Sequence, residues 1–128
     1  MDWGVATMAL GRTYKCSVTG FNHEGRAAYI KRHLHAGSSL NLVREPHNPH
    51  DSLAVAVYHG GHKIGYIPAR KRWVAKSLDE GNEHAVEVFE VDIDEGDLLG
   101  LYIDITIIKA MLPRQTLFER LIRLLGWS

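Results

Sequence analysis

Apolar and polar positions alternate with period two in several separate stretches of the chain, the spacing of half-buried strands. Tyr14 to Val18 is the first, and Leu40, Leu42 and Arg44 alternate with Asn41, Val43 and Glu45 in the second. Leu53 to Tyr58 is almost wholly apolar and rich in β-branched residues, which predicts a well-buried strand. Gly60-Gly61 then reads as a hairpin turn, with Lys63 to Ile67 as the returning strand, ended by Pro68. A second hairpin is predicted over 83–93 and 98–109, turning at Asp94-Glu95-Gly96-Asp97. Its first arm alternates imperfectly. Its second alternates cleanly through Leu99, Leu101, Ile103, Ile105 and Ile107.

Helical spacing occurs in three places. Ala27, Ile30 and Leu34 share one face of a short helix over 26–35, with Gly37 as its C′ residue. Ala69 to Asp79 reads as a second helix, stopped by Gly81 and carrying Arg70, Lys71 and Arg72 in its first turn. Cations there oppose the helix dipole, so they are either a solvated face or an anion site. Pro113 opens a third, amphipathic helix running to Gly126. The predicted fold class is mainly β with helices (α+β). The predicted domains are an N-terminal extension over 1–13, a β domain over 14–110, and a C-terminal helix over 111–128 packed on it.

Between the second and third strands lies Arg44-Glu45-Pro46-His47-Asn48-Pro49-His50-Asp51. The two prolines fix their own φ and push Glu45 and Asn48 into extended shapes, so the loop is stiff. Asp51 is suited to close it by bonding nearby backbone. This stretch, with Ala54-Val55, Val57 and Ile64-Gly65-Tyr66-Ile67-Pro68, resembles the HIRAN domain family. The weaker outer match runs from Val18-Thr19-Gly20 to about Gly81. The resemblance implies an OB-like small β-barrel that binds single-stranded DNA, in some members by capturing its 3′ end. It implies that Arg44 lies close to the bound strand. It implies that the pair His50-Asp51 stacks on a base and accepts a hydrogen bond from the terminal hydroxyl, with His50 where the family carries Tyr. Tyr66 matches a groove contact. Asn22 and His23 stand where end-binding members carry a basic residue and aromatics, a departure that bears on 3′-end capture. Each candidate also has a structural role open to it: Asp51 in the turn, Arg44 paired with Glu45 or Asp51, Tyr66 in a core edge, Lys71 and Arg72 on a solvated face.

Charge changes the picture only through its distribution. Lys/Arg and Asp/Glu balance at 15 each, but residues 1–78 hold eleven cations against four acids, while 79–104 hold ten acids and no cation. A basic face for nucleic acid is compatible with this, and the acidic hairpin is expected to point away from it. The single Cys16 excludes a disulfide framework and a cysteine zinc knuckle, and its alternating context predicts a buried thiol. The eight histidines include His47/His50 and His59/His62 at His-x-x-His spacing, which with Asp51 offer donors for a metal such as zinc. Those pairs sit on a loop and a turn, and no Cys or clustered Glu completes a set, so no cofactor is expected. No G-x-S-x-G, Walker A or GxGxxG motif is present.

The expectation is a non-enzymatic binding module for single-stranded DNA or DNA ends, serving repair or stalled-fork processing, possessed of no membrane span and cytoplasmic. Lys71 and Arg72 would join Arg44 in neutralising phosphate. The rivals are a protein-interaction adaptor using the C-terminal helix, with a repair or replication protein as partner, and a metal-dependent nuclease.

Overall fold

The computed structural model describes residues 11–108. Six strands and two helices follow in the order β1 (Arg12–Ser17), α1 (Arg26–His33), β2 (Ser39–Glu45), β3 (Ala54–His59), β4 (His62–Tyr66), α2 (Arg72–Asp79), β5 (Glu83–Asp94) and β6 (Asp97–Ile108). The strands form one antiparallel sheet, ordered β1-β6-β5-β2-β3-β4.

The sheet curls because β2 changes partner along its length. Ser39 and Leu40 pair with Glu87 and Val86 of β5, and Asn41 to Glu45 pair with β3. The curl brings the two outer strands together at one point. Just past β1, Thr19 exchanges both backbone hydrogen bonds with Tyr66 at the end of β4, each 2.8 Å. The result is a six-stranded half-barrel joined by a single rung.

Alternation in the sequence becomes sidedness here. Val86, Val88, Leu101, Ile103 and Ile105 point inward with Cys16, Leu40, Val55, Val57 and Ile64. Ile30 of α1, Leu34 just past its end, and Val74 and Ala75 of α2 cap this core. Each such aliphatic burial contributes about 1.5–3 kcal/mol before entropy is counted. The imperfect alternation of β5 is a bulge: the register shifts between Val88 and Glu90, and the extra residue Phe89 turns outward under Lys15, whose ammonium lies 3.9 Å from the ring centre. The Glu95-Gly96 turn uses left-handed backbone at both residues, φ 50° and 84°, which suits the twist of a two-residue hairpin. Cys16 is buried, and burial pushes its thiol pKa up while the charges of Lys71 and Arg70 oppose the shift.

Most strand ends shift by a residue from those read in the sequence, and three differences have a clear local cause. β1 starts at Arg12 rather than Tyr14, because its pairing with β6 extends that far. α1 ends at His33, with Leu34 already extended, so Gly37 is no C′ residue; at φ 92° it serves the turn into β2 and donates to the carbonyl of Val88. α2 begins at Arg72, because residues 68–71 form a turn in which the Lys71 amide donates to the Pro68 carbonyl. Arg70 and Lys71 therefore precede the helix. The expected helix over Pro113–Gly126 lies outside the described residues.

Candidate functional site

The stiff loop between β2 and β3 is built as its sequence suggests. The Asn48 side-chain oxygen accepts from the backbone amides of His50 (2.9 Å) and Asp51 (3.2 Å). One Asp51 carboxylate oxygen accepts from the Leu53 amide at 2.9 Å. The other oxygen has no hydrogen bond among the described residues. His50 is held exposed on this frame.

Arg44 anchors the loop from behind. Its Nη1 donates to the carbonyls of Ser52 and Ala54, both at 3.0 Å, and its Nε and Nη2 donate to the Asp79 carboxylate at 2.9 and 3.3 Å. The partner is Asp79 at the end of α2, neither Glu45 nor Asp51. Four of the five guanidinium N–H groups are thereby engaged within the protein.

Tyr66 lies across the groove from the loop. Its hydroxyl donates to Glu45 Oε1 at 2.9 Å, and Lys63 Nζ donates to that hydroxyl (2.9 Å) and to Glu45 Oε2 (2.6 Å). Burial pulls the Glu45 carboxyl upward, but the hydrogen bonds from Lys63, Asn48 and Tyr66 outweigh it and hold its pKa below the usual range. The hydrogen bond to Glu45, then that to Tyr66, pushes Lys63 upward.

Between loop and ring opens a cleft of about 310 Å³, lined by Thr19, Asn48, His50, Asp51, Ala54, Tyr66, Ile67 and Ala69. It brings together His50, Asp51 and Tyr66 of the predicted set. Lys71 and Arg72 do not line it; they follow Ala69 at its edge, Lys71 half-buried and Arg72 exposed. Asn22 and His23 sit exposed in the turn before α1 and do not line it either. The neighbour that does approach from that side is Arg26, which donates to the Gly20 carbonyl at 2.8 Å with its guanidinium 5.9 Å from the Tyr66 ring. A larger cleft of about 410 Å³ lies on the β1-β6-β5-β2 face, where Glu87 and Asp104 contribute to its lining. Those carboxylates suit it poorly to a polyanion, and none of the predicted residues reaches it.

The four histidines considered for metal divide between two places. His59 and His62 pack on Tyr29, whose hydroxyl lies 2.7 Å from His59 Nδ1 and whose ring stacks on His62 at 4.3 Å. His47 and His50 stand on the β2–β3 loop. Among the described residues no three His, Cys, Asp or Glu side chains converge as a metal site.

Thr19, Asn48 and Ala54 lie in the stretches that carry the resemblance but are not among the site residues predicted from sequence, and neither is Lys63. Asn48 carried a signal: flanked by two prolines' constraints and followed by Asp51, it is an Asx-type loop organiser. Lys63 carried none, because its partners are 18 residues back in β2 and three ahead in β4.

The cleft combines an accepting carboxylate oxygen, an exposed imidazole and a tyrosine ring over a small alanine floor. Such a set can hold a flat ring and accept a hydrogen bond from a hydroxyl. The HIRAN domain profile matches residues 12–108. Similar solved structures include a protein from Lactobacillus plantarum, with TM-score 0.59 and 23% identity, covering 76% of this chain and 98% of that one. They also include the HIRAN domain of human HLTF, with TM-score 0.61 and 16% identity, covering 87% of each chain. At these identities the likeness is one of fold. No curated protein matches the sequence.

Proposed function

Because this chain belongs to the HIRAN domain family, we propose that it is a non-enzymatic module that binds single-stranded DNA at its 3′ end through the cleft between Asp51 and Tyr66. The observation that carries this reading is the convergence of His50 and Asp51 from one loop and Tyr66 from another strand on one cleft. The terminal base stacks against His50 and the Tyr66 ring. The Asp51 oxygen left over from the turn accepts a hydrogen bond from the 3′ hydroxyl, a choice that also repels a terminal phosphate. Arg70, Lys71 and Arg72 meet the backbone at the cleft edge. Arg44 acts behind the loop rather than on the strand. The OB-like architecture implied by the family suits this use, and capture of strand ends suits repair or stalled-fork processing. No helix among the described residues is long and apolar enough to cross a membrane.

The test is fluorescence anisotropy with two labelled strands, one ending in a 3′ hydroxyl and one in a 3′ phosphate, at two salt concentrations. Asp51→Asn is the informative variant, since its Oδ1 still accepts from Leu53. A charged hydrogen bond contributes about 1.5 kcal/mol or more, so wild type should prefer the hydroxyl end at least about tenfold and the variant should not. Affinity should fall steeply with salt. Equal binding to both ends by wild type would reduce the reading to general strand binding. No binding at low salt would sink it.

A further inference from the structure

Glu45, Asn48, Lys63 and Tyr66 form a connected set of hydrogen bonds beneath one wall of the cleft. Glu45 is its hub. Oε1 accepts from the Tyr66 hydroxyl (2.9 Å) and from Asn48 Nδ2 (3.0 Å), while Oε2 accepts from Lys63. Asn48 uses its other side-chain atom to hold the amides of His50 and Asp51. The set thus ties the ring on β4 to the loop after β2, across the whole width of β3. The ring can span β3 because the residues beneath it are small: Ala56 pairs with Tyr66, and Ala54 pairs with Glu45.

A carboxylate at this place opposes any bound polyanion unless something neutralises it. Lys63 does so, and in doing so its ammonium is turned inward: two of its three donors are engaged, and its side chain is 26% exposed, against 61% for Lys15. We infer that Glu45 and Lys63 are positioning residues, which lock Tyr66 and the 48–51 loop into one preformed cleft, and that Lys63 makes no phosphate contact although it lies beside the groove. The affinity part of this inference rests on the nucleic-acid reading above; the locking part does not.

Two measurements test it. The first needs no ligand: amide hydrogen exchange of His50 and Asp51, with Ile103 as reference for global opening. In Glu45→Ala, Asn48 loses its anchor, and both amides should exchange about tenfold faster relative to Ile103; in Glu45→Gln, which keeps Oε1 as acceptor, they should stay near wild type. Unchanged protection in Glu45→Ala would overturn the locking role. The second is strand affinity of Lys63→Met in the Glu45→Gln background, which leaves no bare carboxylate, compared with Glu45→Gln alone across a salt series. Affinity should fall about 3- to 10-fold as Tyr66 loosens, with the slope of log K against log salt unchanged. A slope reduced by about one would make Lys63 a phosphate ligand, and unchanged affinity would make the set ornamental; either overturns the inference. If wild type binds no strand, the functional reading fails, and the exchange result still decides whether Glu45 positions the loop.

Discussion

Replacing Arg44 with alanine separates a clamp from a ligand contact. The side chain is 17% exposed and holds two backbone carbonyls of the β2–β3 connection together with the carboxylate of Asp79. Each carbonyl bond contributes about 1 kcal/mol net. The Asp79 side chain is 54% exposed, so that pair is screened and contributes about 0.5 kcal/mol. Arg44→Ala should therefore cost about 2.5 kcal/mol, and Asp79→Ala about 0.5 kcal/mol or less. For a chain of this size the arginine variant should melt about 10 °C lower. Urea unfolding of both single variants and the double variant measures the costs, with coupling between the two sites no larger than the pair itself. The refuting result is an Arg44→Ala protein with wild-type stability and greatly weakened strand affinity. That would return Arg44 to the bound strand, where the family resemblance first put it.

Two further expectations concern the same region. A Cβ built at Gly65 would collide with the Thr19 carbonyl oxygen and lie 2.6 Å from Val18 Cγ1. Gly65→Ala must therefore push apart the one rung that joins β1 to β4, at a cost of about 1–3 kcal/mol or more in thermal or urea unfolding; a variant as stable as wild type would show that the rung does not close the sheet. The Glu45 carboxyl is held below its ordinary value of 4.5 in the folded protein. A carboxyl more acidic folded than unfolded contributes stability that is complete above the unfolded value and is lost as pH falls through the folded one. The stability difference between wild type and Glu45→Gln should thus hold above pH 4.5 and shrink below it; a difference that grows on acidification contradicts the assignment.

The strands were legible because each buries one face, and a period of two is then forced on the sequence. Ile103 and Ile105 declare their side wherever they sit. The bulge at Phe89 showed only as broken alternation, since a single extra residue shifts phase without a composition of its own. The start of α2 was misread because Ala69, Arg70 and Lys71 all have fair helical propensity; what stops them is the turn that Pro68 begins. The site was legible as far as its local chemistry reached. Asp51 in its turn follows from the loop sequence alone, and its convergence with Tyr66 was available only through the family resemblance. The engagement of Arg44 was not available at all. Its partner is 35 residues away, and nothing in a linear pattern distinguishes an arginine that meets phosphate from one that meets Asp79.

The pairing of β1 with β6 sets a condition on how the chain is made. Arg12 lies opposite Ile107, so β1, made before the other described strands, has its neighbour at the far end of the domain. At about 5–20 residues per second it waits on the order of 5–20 s, longer than the microseconds in which hairpins such as β3–β4 form. A greasy strand left unpaired for that time is an invitation to aggregate. β1 is not greasy: among Arg12, Thr13, Tyr14, Lys15, Cys16 and Ser17 only Cys16 ends buried. The polarity of this strand, wasteful for a core, lets it stay solvated until its partner arrives.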